Sequence, residues 1–230
     1  MKTLLSVLLI LVSLGANATT YAGHIGLNKT NNTEIKFTYH FVLSKADSLF
    51  TSTGFSSSLK CPSTFISIAL SGFQLDSKHK QYLNCARTEY NWIYEFSLDV
   101  DLTDSKYNNI KTCCNLNVDA TCGLRSTDIT TLTTTGSPFY VFTDFENCNT
   151  SINRSPVSAS ASFSRNCTNQ PFFNNNGMLD TANFDSLSYE LVNPLGTNGS
   201  SLAFKSGYYA DQPHSSFYPS RKSYPFTDPS

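Results

Sequence analysis

Two groups of residues have the types and spacing for chemistry: a run rich in Asn and Asp, and seven cysteines. The run is "NNNGMLDTANFDSLSYELVNPL", residues 174–195. Calcium takes roughly six to eight oxygen ligands from carboxylates, amide side chains and carbonyls. Asp180, Asn183 and Asp185 stand there as candidate ligands, with Asn174, Asn175 and Asn176 just upstream. The same residue types also turn a chain, because Asn and Asp bond to their own backbone and Gly177 frees φ. Few carboxylates make a weak site, so calcium is an expectation to be tested and no other cofactor is expected.

The cysteines are Cys61, Cys85, Cys113, Cys114, Cys122, Cys148 and Cys167. They form no C-x-x-C pair and have no neighbouring His, so the spacing of a zinc site is absent. In an exported chain they are disulfide candidates. Separation alone favours Cys61–Cys85 and Cys148–Cys167, but sequence does not establish connectivity. Adjacent Cys113 and Cys114 point to opposite sides if they lie on a strand, and would then bond to different partners. An odd count leaves at least one thiol unpaired or paired to another chain.

Catalytic constellations are not evident. His24, His40, His79 and His214 are scattered, with no H-E-x-x-H, G-x-S-x-G or P-loop pattern. His40 alternates outward on a strand pattern and His79 sits in polar "DSKHKQ", so both read as solvated. Asp99 and Asp101 share one strand face about 6–7 Å apart, the spacing of a carboxylate pair, but a glycosidase also needs a cleft around it. No enzyme is expected. Sequons at Asn28, Asn31, Asn149, Asn153, Asn166 and Asn198 mark surface loops where glycosylation machinery exists.

The elements that would position these residues are strands. In "EIKFTYHFVL", Ile35, Phe37, Tyr39 and Phe41 alternate with Lys36, Thr38 and His40, a period of two. "WIYEFSLDVDL" (92–102) sets Trp92, Tyr94, Phe96, Leu98, Val100 and Leu102 against Glu95, Ser97, Asp99 and Asp101, one face for a core and one showing acids to water. Further strand patterns are "FISIAL" (65–70), "DITTLTT" (128–134), "FYVFTDF" (139–145), "VSASASF" (157–163), "LSYELV" (187–192) and "LAFKSGYY" (202–209). No segment has a convincing helical period. The expectation is all-β, in antiparallel β-sandwich domains. A boundary is expected near residue 150, giving 19–150 and 151–230 as two sandwiches, with the C-terminal completeness of the second left open.

Lys2, the apolar run "LLSVLLILVSL" and "GANA" read as a cleavable secretory signal ending at Ala18. The run is too short to span a bilayer, and no later segment is apolar enough to do so. A secreted or cell-surface protein is expected. The formal charge of −1 gives no footprint for nucleic acid. The tail holds Tyr208, Tyr209, Phe217, Tyr218, Tyr224 and Phe226 among polar residues; such rings serve sugar stacking or simply fill a core.

"NRSPVSASASFSRNCTNQPFFNNNGMLDTANFDSLSYELVNPL" resembles the opening of cadherin-like or immunoglobulin-like (PKD-type) repeats in large secreted and cell-surface proteins of the Bacteroidota. Those repeats run from N-x-S-P through C-x-N-Q-P-F to an acidic D-x-D-G-D-S-L-x-Y-x-L turn and strand. Upstream, "YNWIYEFSLDVDL" and "CCNLN" are similar to the aromatic strand and C-C-R-N motif that precede the repeat. The likeness covers roughly residues 85–195. It departs where Asn115 follows Cys113-Cys114 without the Arg, and where the turn has one extra residue and fewer acids. The resemblance implies a β-sandwich module, commonly followed by more repeats; at "FTDPS" either the last strand is cut off by C-terminal truncation or this protein ends differently. The expected function is a non-enzymatic structural or adhesion module with an extracellular protein or glycan partner; the alternative is a carbohydrate-binding module.

Overall fold

The computed structural model describes residues 19–31, 33–44, 47–83, 86–125, 131–134, 136–148, 153–158, 178–180, 187–188, 190 and 192–210. Among them the chain forms β1 (Thr19–Lys29), β2 (Glu34–Leu43), β3 (Phe55–Cys61), β4 (Ile66–Leu70), β5 (Gln74–Leu83), β6 (Ala86–Asp101), β7 (Asn115–Arg125), β8 (Pro138–Glu146), β9 (Asn153–Arg154), β10 (Val157–Ser158) and β11 (Met178–Leu179). One sheet has the order β4-β3-β7-β1-β2-β6-β5, with β8 beside β7 and β9 beside β1, while β10 pairs with β11. The protein is all-β and disulfide-containing.

Alternation explains the best-formed strands. On β2, Ile35, Phe37, Tyr39 and Phe41 are all buried, as their period of two requires. Tyr94, Phe96, Leu98 and Val100 do the same on β6, and Leu102 is buried just beyond it. The sheet curls, so that β1-β2-β6-β5 faces β4-β3-β7-β8 across a shared core. Ring centroids of Tyr39 and Phe55 lie 5.4 Å apart, those of Phe37 and Phe145 5.9 Å, and Tyr39 Oη meets Ser57 Oγ at 3.0 Å. Gly23 permits a close approach at the margin of this core. A Cβ there would come within 2.7 Å of the His40 carbonyl oxygen and 3.2 Å of the Phe139 ring.

The expected antiparallel arrangement needs one correction, because the sheet is mixed. Thr19 and Thr20 of β1 pair in parallel with Leu124 and Arg125 of β7; among the described residues the other strand pairings are antiparallel. Strand limits also differ. Among 131–134, only Leu132 makes a bridge, to Phe204, and residues 128–130 lie outside the described set. The described residues of 187–192 and 202–209 form no strand; Tyr189 and Leu191 lie outside. Short apolar runs suit a strand only if a neighbour supplies the ladder, and among the described residues 131–133 and 203–205 share a single bridge with two flanking backbone bonds. Conversely, β1, β3, β5 and β7 carry Gly, Ser, Lys or Asn runs that hide their alternation.

The cysteine pairs differ from those favoured by separation. Cys61 bonds to Cys113 with Cα atoms 6.0 Å apart, and Cys114 bonds to Cys148 at 4.6 Å. These replace Cys61–Cys85 and Cys148–Cys167. Register is the reason: Lys60 faces Asn117 across β3 and β7, and Asn115 faces Glu146 across β7 and β8. Cys61 and Cys148 are thereby brought beside the residues that precede β7. Cys113 and Cys114 do take different partners, although they lie in the bend ahead of β7 and not on a strand. Cys122 is a buried free thiol that accepts a hydrogen bond from Thr20 Oγ1 at 3.3 Å, and burial pushes its pKa up to about 12. Cys85 and Cys167 lie outside the described residues.

Candidate binding surface

The outward face of β4-β3-β7-β8 is built by register. Ser67, Lys60, Asn117 and Asp144 are successive cross-strand neighbours, one per strand. The adjacent row is Ala69, Ser58, Asp119 and Phe142. Cross-strand neighbours on one face stand about 4.5–5.5 Å apart at Cβ, so these rows form a polar grid on rigid strands. Asn117 Nδ2 donates to Asp144 Oδ1 at 2.8 Å.

Asp119 is the node of the grid. Although it points outward it is 6% exposed, and its carboxylate accepts from Ser58 N at 3.0 Å, Ser58 Oγ at 2.7 Å, Tyr140 Oη at 3.1 Å and Lys60 Nζ. A buried carboxylate is tolerated when it is so paired. Burial and the adjacent Asp119 raise the Tyr140 phenol above its ordinary pKa. The turn at Thr197–Gly199 lies against Tyr140, where a Cβ on Gly199 would sit 3.4 Å from the ring.

Beside the grid, the β3–β4 turn carries Phe65. It is 95% exposed and has φ of +57°, a left-handed conformation that is uncommon for a bulky side chain. A cleft of about 410 Å³ empties elsewhere, between β1 and β8, but the one at this turn is about 320 Å³ and is lined by Lys60, Pro62, Phe65, Ser67, Asn117 and Tyr140. The Cys61–Cys113 bond anchors the base of the turn. An exposed ring beside amide, hydroxyl, ammonium and carboxylate groups can stack on an apolar face and hydrogen-bond the polar rim of the same ligand.

The opposite outward face holds a second row. His24 faces His40, His40 faces Glu95, and Glu95 faces Ser77, across β1, β2, β6 and β5. His24 and His40 stack with centroids 4.3 Å apart, and His40 Nε2 lies 3.6 Å from Glu95 Oε1. His40 is therefore half-buried rather than freely solvated, because β1 flanks it; His79 is exposed. No group of three metal-binding side chains occurs among the described residues.

Asp99 and Asp101 are exposed on β6 and line a cleft of about 410 Å³ with Glu34 and Lys36. Thr103 donates its backbone N–H and Oγ1 to Asp101, at 2.8 and 2.7 Å, and holds that carboxyl below its ordinary value. A proton donor needs the reverse shift. Glu34 Oε2 accepts from Asn31 Nδ2 at 2.7 Å.

Of the candidate calcium ligands, Asp180 follows β11 and is half-buried. Asn183 and Asp185 lie outside the described residues, as do Asn174, Asn175 and Asn176. Tyr209 is 61% exposed, while the other tail rings from Phe217 onward lie outside. Among the described residues no helix is long and apolar enough to cross a membrane. Sequence reading missed Phe65 and Asp119. A Phe closing "CPSTF" after a strand was the available signal for the first, whereas the burial of Asp119 depends on strands distant in sequence. A scan against protein-family models finds no match, and a search of curated proteins likewise finds none.

Proposed function

We propose that this chain is a non-enzymatic module of the cell exterior, structural or adhesive in kind, which engages its partner through the β4-β3-β7-β8 face. The observation that carries the reading is Phe65, an aromatic ring 95% exposed on a residue with φ of +57°. A left-handed bulky residue costs about 1–3 kcal/mol, and such strain clusters at ligand-contacting positions. Two disulfides fit an oxidising space, in keeping with the signal-like N-terminus. The likeness to Bacteroidota surface repeats supports the same class.

The second reading is a carbohydrate-binding module. It is favoured by the row Ser67, Lys60, Asn117 and Asp144 beside the Phe65 ring. A glycan array and pull-downs on cellulose, xylan and chitin separate the two readings, using the wild type and Phe65→Gly. Glycine relieves the positive φ, so the variant should match or exceed the wild type in thermal stability while losing at least tenfold in binding. Glycan binding lost in Phe65→Gly selects the carbohydrate module. Attachment to cells or matrix protein that is lost in the variant, without glycan binding, selects adhesion. Binding unaffected by the change would remove this face from the account.

A further inference from the structure

The β5–β6 hairpin outruns the sheet that holds it. Pairing between β2 and β6 ends at Leu43 opposite Trp92, whereas β6 continues back to Ala86. Beyond Trp92, β6 pairs only with β5 among the described residues. One face of this hairpin carries Lys78 and Lys80 opposite Tyr94 and Trp92, where β6 still pairs with β2, and Tyr82 opposite Tyr90 on the arm that projects beyond. Lys78 Nζ sits 4.5 Å from the Trp92 ring centroid and 5.4 Å from that of Tyr94. Lys80 Nζ lies 4.4 Å from Tyr90 and 5.2 Å from Trp92. The rings continue edge to face, Trp92 to Tyr90 at 5.5 Å and Tyr90 to Tyr82 at 5.9 Å, and Tyr82 is 56% exposed.

Cations and rings thus alternate along one face, exposed at Lys78, Lys80 and Tyr82, half-buried at Tyr90 and Trp92, and closed at its inner end by the buried Tyr94. Among the described residues, neither ammonium lies within ion-pair distance of a carboxylate. Lys78 also donates to the Ser48 carbonyl, and the nearby loop acid Asp47 is engaged by Ser44 Oγ. Lys78 and Lys80 stand on one strand face about 7 Å apart, their charges held in place by the ring quadrupoles. In a chain whose formal charge is −1, this local positive stripe is not a by-product of composition.

We propose that this hairpin face is a docking site for an acidic polysaccharide whose sugars bear carboxylates. A uronate residue presents both complements at once: a carboxylate for the ammonium and a flat C–H face for the ring. An acidic peptide offers the charge without a flat apolar face beside it. The site is separate from the Phe65 face and stands without it.

Affinity electrophoresis of the full chain through gels containing polygalacturonate, neutral dextran or polyglutamate is the test. Polygalacturonate should retard the protein at low salt and much less at 0.5 M, where the screening length falls to about 4 Å. Lys78→Gln/Lys80→Gln should weaken retardation at least tenfold, and Tyr82→Ala several-fold, with circular dichroism unchanged. Phe65→Gly should leave retardation intact, which keeps this site distinct from the other face. No retardation by polygalacturonate, retardation indifferent to the lysine pair, or equal retardation by polyglutamate would each overturn the proposal.

Discussion

His24 and His40 lie ring on ring, 4.3 Å between centroids and 14° from parallel. Two stacked imidazoles cannot both be charged cheaply. Burial, and then the neighbouring His40, lower the His24 pKa to about 4. His40 is also lowered by burial, with Glu95 opposing and His79 adding to the shift. An unfolded His takes its proton near pH 6.5. Above that pH neither state is protonated and the pair costs nothing. As pH falls from 6.5 toward about 4, the unfolded chain binds a proton that folded His24 refuses, so stability is lost over that window. At pH 5 the loss from His24 should be about 2 kcal/mol relative to pH 7, at 1.36 kcal/mol per pKa unit. Urea denaturation at the two pH values should show a smaller drop for His24→Gln; an equal drop would mean that the stack does not resist protonation. The outward alternation of His40 was legible in "EIKFTYHFVL". Its partner was not, because Gly23 and Gly26 interrupt the apolar pattern of β1.

At the scale of elements, the disulfides tie strand ends. Cys61–Cys113 closes 52 residues and fastens the turn that carries Phe65; Cys114–Cys148 closes 34. Loop-closure entropy assigns about 3–4 kcal/mol to a closure of the longer size. Replacing Cys61 and Cys113 together by Ala should lower unfolding free energy by that amount in urea and also weaken binding at the Phe65 face. Equal stability of the double variant would show that β3 and β7 are held by their ladder alone. The strands themselves divide by how visible their pattern was. β2 and β6 alternate over most of their length, and β8 is an aromatic run, so all three were legible as strands. β5 reads as polar "QLDSKHKQYL", since it is an edge strand beside β6 and most of its described side chains are exposed. β7, "NLNVDATCGLR", buries Leu116, Val118, Ala120 and Cys122, but small and polar residues dilute the signal.

At the scale of the molecule, residues beyond 150 rest on those before it. Ser155 N donates to the Leu27 carbonyl at 2.7 Å, Arg125 Nη2 to that of Leu195 at 2.9 Å, and Lys205 N to that of Thr131 at 2.8 Å. Leu132, 1% exposed, bridges Phe204. A chain ended at residue 148 would uncover Leu132 and Tyr140 and should lose roughly 2–4 kcal/mol by apolar area, read as a lower urea midpoint. An unchanged midpoint would leave 19–150 and 151–230 as independent units. Sequence by itself determined the all-β class and the inward faces of β2 and β6. Both follow from a period of two, which is a property of a few consecutive residues. Only the tertiary structure decided which cysteines bond, that Asp119 is buried though it points outward, and which side chains share the Phe65 face and the lysine–aromatic hairpin face. Those depend on register between strands far apart in the chain, where a shift of one residue turns every side chain to the opposite face.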